Sequence, residues 1–285
     1  SVVELLETVE TGRSIVKRGA EIKAGEVVLR AGTTINAAML AVLAAFGYAQ
    51  VEVFRKPRVG VLATGSELVP VDQKPGQDQI RDSNNFSIAA YAQQAGASIE
   101  RLPLAGDDAS LLERQISEAS ERSEVVITSG GVSVGRYDFT KTALRELNAK
   151  FFFERVALRP GKPTVFARLP SGALVFGLPG NPVSVAVTFN LFARAALLKM
   201  QGAAETQLRA ATAVLKKPAK GARERESYLP AQLIADTGGQ LGATPLRWGG
   251  SSDFVGFARA TALIVIPKDT GVVEPGTLVQ ILYLP

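Results

Sequence analysis

The chain has 285 residues, 46% of them hydrophobic and 21% charged, which supplies apolar mass for one large core and a smaller one. It contains no Cys and no His. That excludes disulfides, thiolate nucleophiles, Cys/His zinc sites and every mechanism that needs an imidazole base. A net charge of +5 favours an anionic ligand. Lys and Arg are scattered without interleaved aromatics, no apolar run is long enough to span a membrane, and the first residues lack a leader pattern. A cytoplasmic protein with neither nucleic-acid nor membrane partner is expected.

Residues 1–55 are short-patterned and punctuated by glycine. Residues 17–29 are expected as short strands, residues 36–46 as a helix capped by Asn36 and stopped by Gly47, and residues 51–54 as a strand. From Arg58 strands and helices alternate. Strands are predicted over 59–63, 99–104, 125–128, 165–166 and 174–176, and helices over 86–94, 110–120 and 139–147. A long helix is predicted over 182–200, with Asn181 as its cap and Pro182 in its first position. This alternation predicts an α/β unit: a mostly parallel sheet covered on both faces, with ligands beyond the carboxyl ends of its strands. After Gly202 the pattern turns to short β-rich runs over 211–215, 231–234, 262–266 and 278–282. They predict a separate small barrel or sandwich.

The chemistry-bearing residues fall in loops that follow predicted strands. Thr64-Gly65-Ser66-Glu67 offers close backbone approach, hydroxyls and a carboxylate for a cation. Arg81-Asp82-Ser83-Asn84 precedes a helix, where free amides suit either capping or an anion. Ser129-Gly130-Gly131-Val132-Ser133-Val134-Gly135 suits phosphate cradling by main-chain amides, and it is neither a Walker loop nor a dinucleotide fingerprint. Asp138 follows, placed to hold Mg²⁺ against such a phosphate. Arg159-Pro160-Gly161-Lys162-Pro163 carries two cations on a stiff turn. Gly177–Ser184 fixes the backbone ahead of the longest helix through Pro179, Gly180, Asn181 and Pro182. Together these loops suit a phosphorylated, metal-assisted substrate. A weaker fifth segment, residues 248–253, reads as a solvated Gly/Ser loop.

Taken in order, Thr64–Leu68, Arg81–Asn84, Ser129–Gly135 with Asp138, Arg159–Pro163 and Gly177–Ser184 resemble the MoeA / gephyrin E-domain family, the molybdopterin molybdenumtransferases. The lead-in at Lys17–Thr33 is similar to that family's too. The resemblance implies a three-layer molybdopterin-binding domain over residues 31–203 and a C-terminal β-barrel over 204–285. Residues 1–30 would be a remnant of a lasso-like second domain, most of the usual N-terminal region being absent. It implies insertion of molybdate into adenylylated molybdopterin with Mg²⁺-dependent release of AMP. By the same resemblance Glu67, Asp82 and Asp138 position Mg²⁺ and, with Lys162, act in catalysis. Gly130, Gly131, Ser133 and Gly135 cradle the pterin phosphate. Arg159, Lys162 and Ser184 hold phosphate or oxyanion, and Pro179 and Pro182 shape the cleft wall. Thr64, Gly65, Ser66, Ser83, Asn84, Ser129, Gly180 and Asn181 complete the expected binding set. A family-type homodimer and an upstream molybdopterin adenylyltransferase are the implied protein partners. The alternative is a relative that binds molybdopterin or a protein partner without turnover. A nucleotide hydrolase sharing only the glycine loop is a third, weaker reading.

Overall fold

The computed structural model describes residues 2–4, 7–132, 138–247 and 249–285. The chain separates into two compact units, Ser1–Val51 and Glu52–Pro285. In the first, helix α1 (Ala37–Ala45) is capped by Asn36, whose side chain accepts from the Met39 amide at 3.0 Å. Gly47 ends it at φ 80°, a value that glycine adopts without a Cβ penalty. No residue of α1 is buried. Residues 17–29, expected as strands, are turns closed by Gly19 and Gly25 at positive φ. Residues 51–54 form no ladder either. Both segments carry β-forming side chains, but among the described residues no neighbouring strand takes up their amides and carbonyls.

In the second unit the elements in chain order are β1 (Arg58–Ala63), β2 (Leu68–Val69), β3 (Ile80–Arg81), α2 (Asn84–Gln94), β4 (Ser98–Arg101), α3 (Ala109–Arg122) and β5 (Val125–Ser129). They continue with α4 (Phe139–Glu146), β6 (Lys150–Phe153), β7 (Leu158–Arg159), β8 (Val165–Arg168), β9 (Leu174–Leu178), α5 (Pro182–Thr188) and α6 (Arg194–Met200). The main sheet runs β4-β1-β5-β9-β8-β6, with β4, β1, β5 and β9 parallel and β8 antiparallel to both neighbours. Residues alternate between its faces. Leu62 and Val126 meet Leu112, Ile116 and Leu144 of α3 and α4 on one side. Val59, Val61, Val125 and Ile127 meet Ile88 of α2 and Val185, Phe189 and Leu197 on the other. Such full burial explains why β1 and β5 read as continuous apolar runs.

The long helix predicted over 182–200 forms, with one departure. Five residues, Phe189–Ala193, take a π-helical turn between α5 and α6. Thr188 Oγ1 donates to the Ser184 carbonyl at 2.8 Å and Asn190 Nδ2 to the Ala186 carbonyl at 2.9 Å, so side chains compete for backbone acceptors where the ladder widens. Pro182–Met200 is apolar and long enough to cross a membrane by composition. More than half of that stretch is buried in the fold, as a core helix would be.

The remaining strands are β10 (Ala210–Leu215), β11 (Ala219–Lys220), β12 (Glu226–Ala235), β13 (Leu241–Pro245), β14 (Ala262–Ile266), β15 (Val272–Val273) and β16 (Leu278–Tyr283), with a short helix α7 (Phe254–Phe257). The order β13-β10-β16-β14-β12 closes because β12 also pairs with β13. The result is a five-stranded barrel filled by small and branched side chains, among them Ala213, Leu215, Ala231, Ala243, Ile264 and Ile281. Closure leaves few free edges. β7 of the α/β region adds to the barrel by pairing with β12 in parallel. A further apolar cluster, built on Val183, Ala186 and Val187 of α5 with Phe257 and Leu263, packs the barrel against the α/β region.

Candidate functional site

Because β1, β5 and β9 are parallel and adjacent, their carboxyl ends deliver three loops to one edge of the sheet. These loops are bonded to one another. The Thr64 amide donates to the Ser129 carbonyl at 2.9 Å, and the Gly130 amide to the Leu178 carbonyl at 3.1 Å. Gly130 sits at φ 93°, and a Cβ there would lie 2.3 Å from the Thr64 carbonyl oxygen. Gly131, at φ 62°, would place a Cβ 2.8 Å from Thr140 Oγ1. Gly130 is therefore required by close backbone approach and Gly131 by the buried Thr140 side chain, and both by left-handed backbone.

Asn84 opens α2 and reaches across this edge. Its side-chain Nδ2 donates to Ser129 Oγ at 2.7 Å and to the Gly180 carbonyl at 2.6 Å. It is 8% exposed, and its Oδ1 has no hydrogen-bond partner. One buried amide thus fastens the loops after β5 and β9 to the start of α2 and keeps an acceptor in reserve. Asp82, also buried, accepts from the Asn85 amide at 3.0 Å and so caps α2, whose cap-position residue Ser83 makes no side-chain capping bond. Burial raises the Asp82 pKa, and hydrogen bonds from Asn85 and Asn84 and the charge of Arg101 offset part of that rise.

The loops enclose a cleft of about 1080 Å³. Thr64, Gly65, Glu67, Asp82, Ser83, Asn84, Ser129, Gly130, Gly131, Pro179, Gly180, Asn181 and Pro182 all line it. Ser66 does not; its hydroxyl donates to Asp107 Oδ2 at 2.8 Å, beside the cleft. Asp138 caps α4 in position but makes no capping bond, and pairs instead with the Lys141 ammonium. Its second oxygen is buried and unpartnered. Arg159 lies in β7, and Lys162 is exposed on the following turn, whose Pro163 reaches the cleft. Ser184 is buried within α5. Ser133 and Gly135 lie outside the described residues, as does Trp248 at the head of the fifth segment. Among the described residues, no three Asp, Glu, His or Cys side chains gather at metal-binding range.

Sequence reasoning missed several cleft residues. Asp107 belongs to a polar Gly-Asp-Asp run ahead of α3, whose helix-capping role falls to Asp108, which accepts from the Ser110 and Leu111 amides, whereas Asp107 lines the cleft. Gln79 and Pro75 enter through the strap between β2 and β3, which carries no local pattern of its own. Ser252 and Phe254 enter from the barrel, where 248–253 read as a solvated loop. Outside the cleft, Lys141, the partner of Asp138, was hidden as one more charge on an amphipathic helix.

Residues 60–199 match the family model described as a probable molybdopterin binding domain, and residues 212–284 match the MoeA C-terminal region, domain IV. The chain belongs to the MoeA family. It is 36% identical over 284 residues to the molybdopterin molybdenumtransferase of Bacillus subtilis, an alignment covering 100% of this chain and 66% of that protein. The Nostoc protein of the same name is 35% identical, with 99% and 66% covered. Among solved structures, a molybdopterin biosynthesis MoeA protein from Pyrococcus horikoshii superposes with a TM-score of 0.82 at 30% identity, covering 94% of this chain and 64% of that one. This MoeA-family chain therefore spans just under two thirds of the length of its relatives. The expected α/β sheet followed by a barrel is the architecture found.

Proposed function

We propose that the cleft binds adenylylated molybdopterin, and that this chain carries the catalytic region of a molybdopterin molybdenumtransferase, which inserts molybdate at the dithiolene and releases AMP. The observation that carries this reading is Asn84 joining the loops after β5 and β9 around a glycine pair with no room for a Cβ. The Gly130 amide is taken by the Leu178 carbonyl, so it is the amides beyond it in this glycine loop that suit phosphate oxygens. The names of the Bacillus and Nostoc relatives support the same chemistry.

In this reading Gly130 and Gly131, continued by Ser133 and Gly135, cradle the pterin phosphate. Glu67 and Asp82 line the cleft and fit a hydrated Mg²⁺, which uses one or two carboxylates together with substrate phosphates rather than a full protein cage. Bound there, Mg²⁺ would neutralise charge developing on phosphate oxygens. Asp107 adds a third cleft carboxylate and holds Ser66. Thr64, Gly65, Ser83, Ser129, Gly180 and Asn181 bound the pocket, and Pro179 and Pro182 stiffen its wall. Arg159 at the end of β7 and Lys162 on the turn whose Pro163 touches the cleft supply cations for the oxyanion, with Ser184 of α5 as a further candidate, although none of the three lines the cleft itself. Asp138 acts with them from the head of α4. A homodimer and delivery of substrate by a molybdopterin adenylyltransferase belong to the same proposal, as does a cytoplasmic location.

The scattered carboxylates favour a second reading, in which the chain binds the pterin without turnover. Incubation with adenylylated molybdopterin, molybdate and Mg²⁺ separates the two. AMP release that needs both Mg²⁺ and molybdate is expected, and Asn84→Ala abolishes it together with pterin binding. Tight pterin binding without AMP release leaves only the second reading.

A further inference from the structure

The barrel side of the cleft is built as firmly as the sheet side. The Val183 amide donates to the Ser251 carbonyl at 3.0 Å, and the Asn181 side chain donates to the Ser251 hydroxyl at 2.9 Å. Asp253 then accepts from the Gly249 amide at 2.8 Å and from the Gly256 amide at 2.9 Å, which fixes the turn leading into α7. At the end of α7, Phe257 is 9% exposed and packed with Val183 and Val187 of α5 and Leu263 of β14. At its start, Phe254 lines the cleft and is 53% exposed. An anchored four-residue helix thus holds one ring in the core and offers the other to the cleft.

Exposing a phenyl ring to water on an element this well tied down gives up burial that Phe257 obtains one turn away. The same cleft is lined by polar groups as well, among them the Asn84 amide and the Gly130–Gly131 backbone. A flat ligand carrying phosphate would satisfy both kinds of lining: its anion on the glycine loop, its ring on Phe254. We infer that Phe254 is a specificity-determining residue of this cleft, a stacking platform for the planar heteroaromatic ring of a phosphorylated ligand. The inference rests on the proposed function and deepens it, assigning to the barrel the recognition of ring rather than phosphate. Two rings share this chemistry, the adenine and the pterin of the adenylylated substrate.

The test uses the whole chain and three probes, AMP, ribose 5-phosphate and molybdopterin, with binding followed by calorimetry for wild type, Phe254→Ala and Phe254→Trp. Removing one stacking ring weakens binding about 5- to 150-fold. Phe254→Ala is therefore expected to lose that much affinity for AMP or for molybdopterin, and the affected probe names the ring. Ribose 5-phosphate affinity stays unchanged, and Phe254→Trp restores binding. Thermal unfolding of the variants guards against collapse of α7, and Phe254→Leu, which keeps apolar bulk without a ring face and is expected to lose the same affinity, carries the test if the alanine variant unfolds. Equal affinity of wild type and Phe254→Ala for every probe that wild type binds overturns the inference alone. A wild-type chain that binds neither AMP nor molybdopterin overturns the proposed function, and the inference with it.

Discussion

The side-chain amide of Asn181 donates to the Ser251 hydroxyl at 2.9 Å, across 70 residues of sequence. Asn181 occupies the cap position of α5 but makes no side-chain capping bond there. The Val183 amide, one that such a cap would serve, donates instead to the Ser251 carbonyl at 3.0 Å, so the Asn181 side chain is free for the barrel. The same residue type that reads as a helix start thus acts as a tie between two parts of the fold.

Removing that tie should cost little stability, because the pair is exposed. Ser251→Ala and Asn181→Ala should each lower unfolding free energy by about 0.5–1.5 kcal/mol, and the double variant by little more than either alone. Hydrogen exchange at the Val183 amide should stay slow in Ser251→Ala, since its acceptor is the Ser251 main-chain carbonyl. Additive losses in the double variant would show that the two side chains do not interact in solution.

Gly130→Ala tests the close approach of the loops after β1 and β5. The new methyl group would sit 2.3 Å from the Thr64 carbonyl oxygen at φ 93°. Backbone strain and overpacking together should cost roughly 2–5 kcal/mol. Gly172→Ala is the matched control, with φ 92° and open space around the added atom. It should lose only the conformational part, about 1 kcal/mol. Urea unfolding of the pair isolates the steric contribution, and equal losses would remove the argument that backbone contact reserves Gly130.

These comparisons bear on what was legible in the sequence. β5 and β14 were read nearly to the residue, because strands buried on both faces or inside a barrel leave unbroken apolar runs between turns. α3 was legible through its apolar stripe of Leu112, Ile116 and Ala119. β6 was missed: Lys150-Phe151-Phe152-Phe153 has no alternation, and its pairing with β8 shifts register between Phe151 and Phe153. β13, the strand through which the expected barrel closes, was equally missed, since it contains Gly, Ala, Thr and Pro and owes its strand form to two neighbours. At the cleft, loops following parallel strands were legible because topology alone sends them to one edge. Residues arriving from the barrel and from the strap over β2 and β3 depend on tertiary packing, which no local pattern encodes.

Stability should respond to acid through Glu124. The Arg58 guanidinium donates to its carboxylate at 2.8 Å and the Arg58 amide at 2.7 Å, lowering the Glu124 pKa to about 2. A folded-state pKa below the unfolded value contributes stability above about pH 4.5, and that contribution disappears as pH falls toward 2. Both side chains are partly exposed, so solvent screening leaves about 1 kcal/mol of it. Asp82 runs the other way, because burial raises its pKa and its contribution fades as pH rises through the folded value. Glu124→Gln should flatten the acid limb of a stability–pH curve, whereas Asp82→Asn should stabilise the neutral-pH protein and weaken Mg²⁺-dependent AMP release. A Glu124→Gln curve that parallels wild type below pH 4.5 would count against the ion pair.

Asp138→Asn is the obvious test of the proposed chemistry, and taken alone it is ambiguous. Lys141 is 5% exposed, and its ammonium pairs with Asp138. Neutralising the carboxylate leaves a buried cation uncompensated, which costs about 3–5 kcal/mol. Loss of AMP release in that variant would follow from misfolding of the head of α4 as readily as from lost chemistry. Pairing it with Lys141→Met removes the stranded charge while keeping an aliphatic side chain in place, so the double variant should recover stability to within about 1 kcal/mol of wild type. If Asp138 acts on the substrate or its Mg²⁺, the double variant folds, keeps its pterin affinity and still fails to release AMP. Recovery of AMP release alongside stability would reduce Asp138 to the structural partner of Lys141.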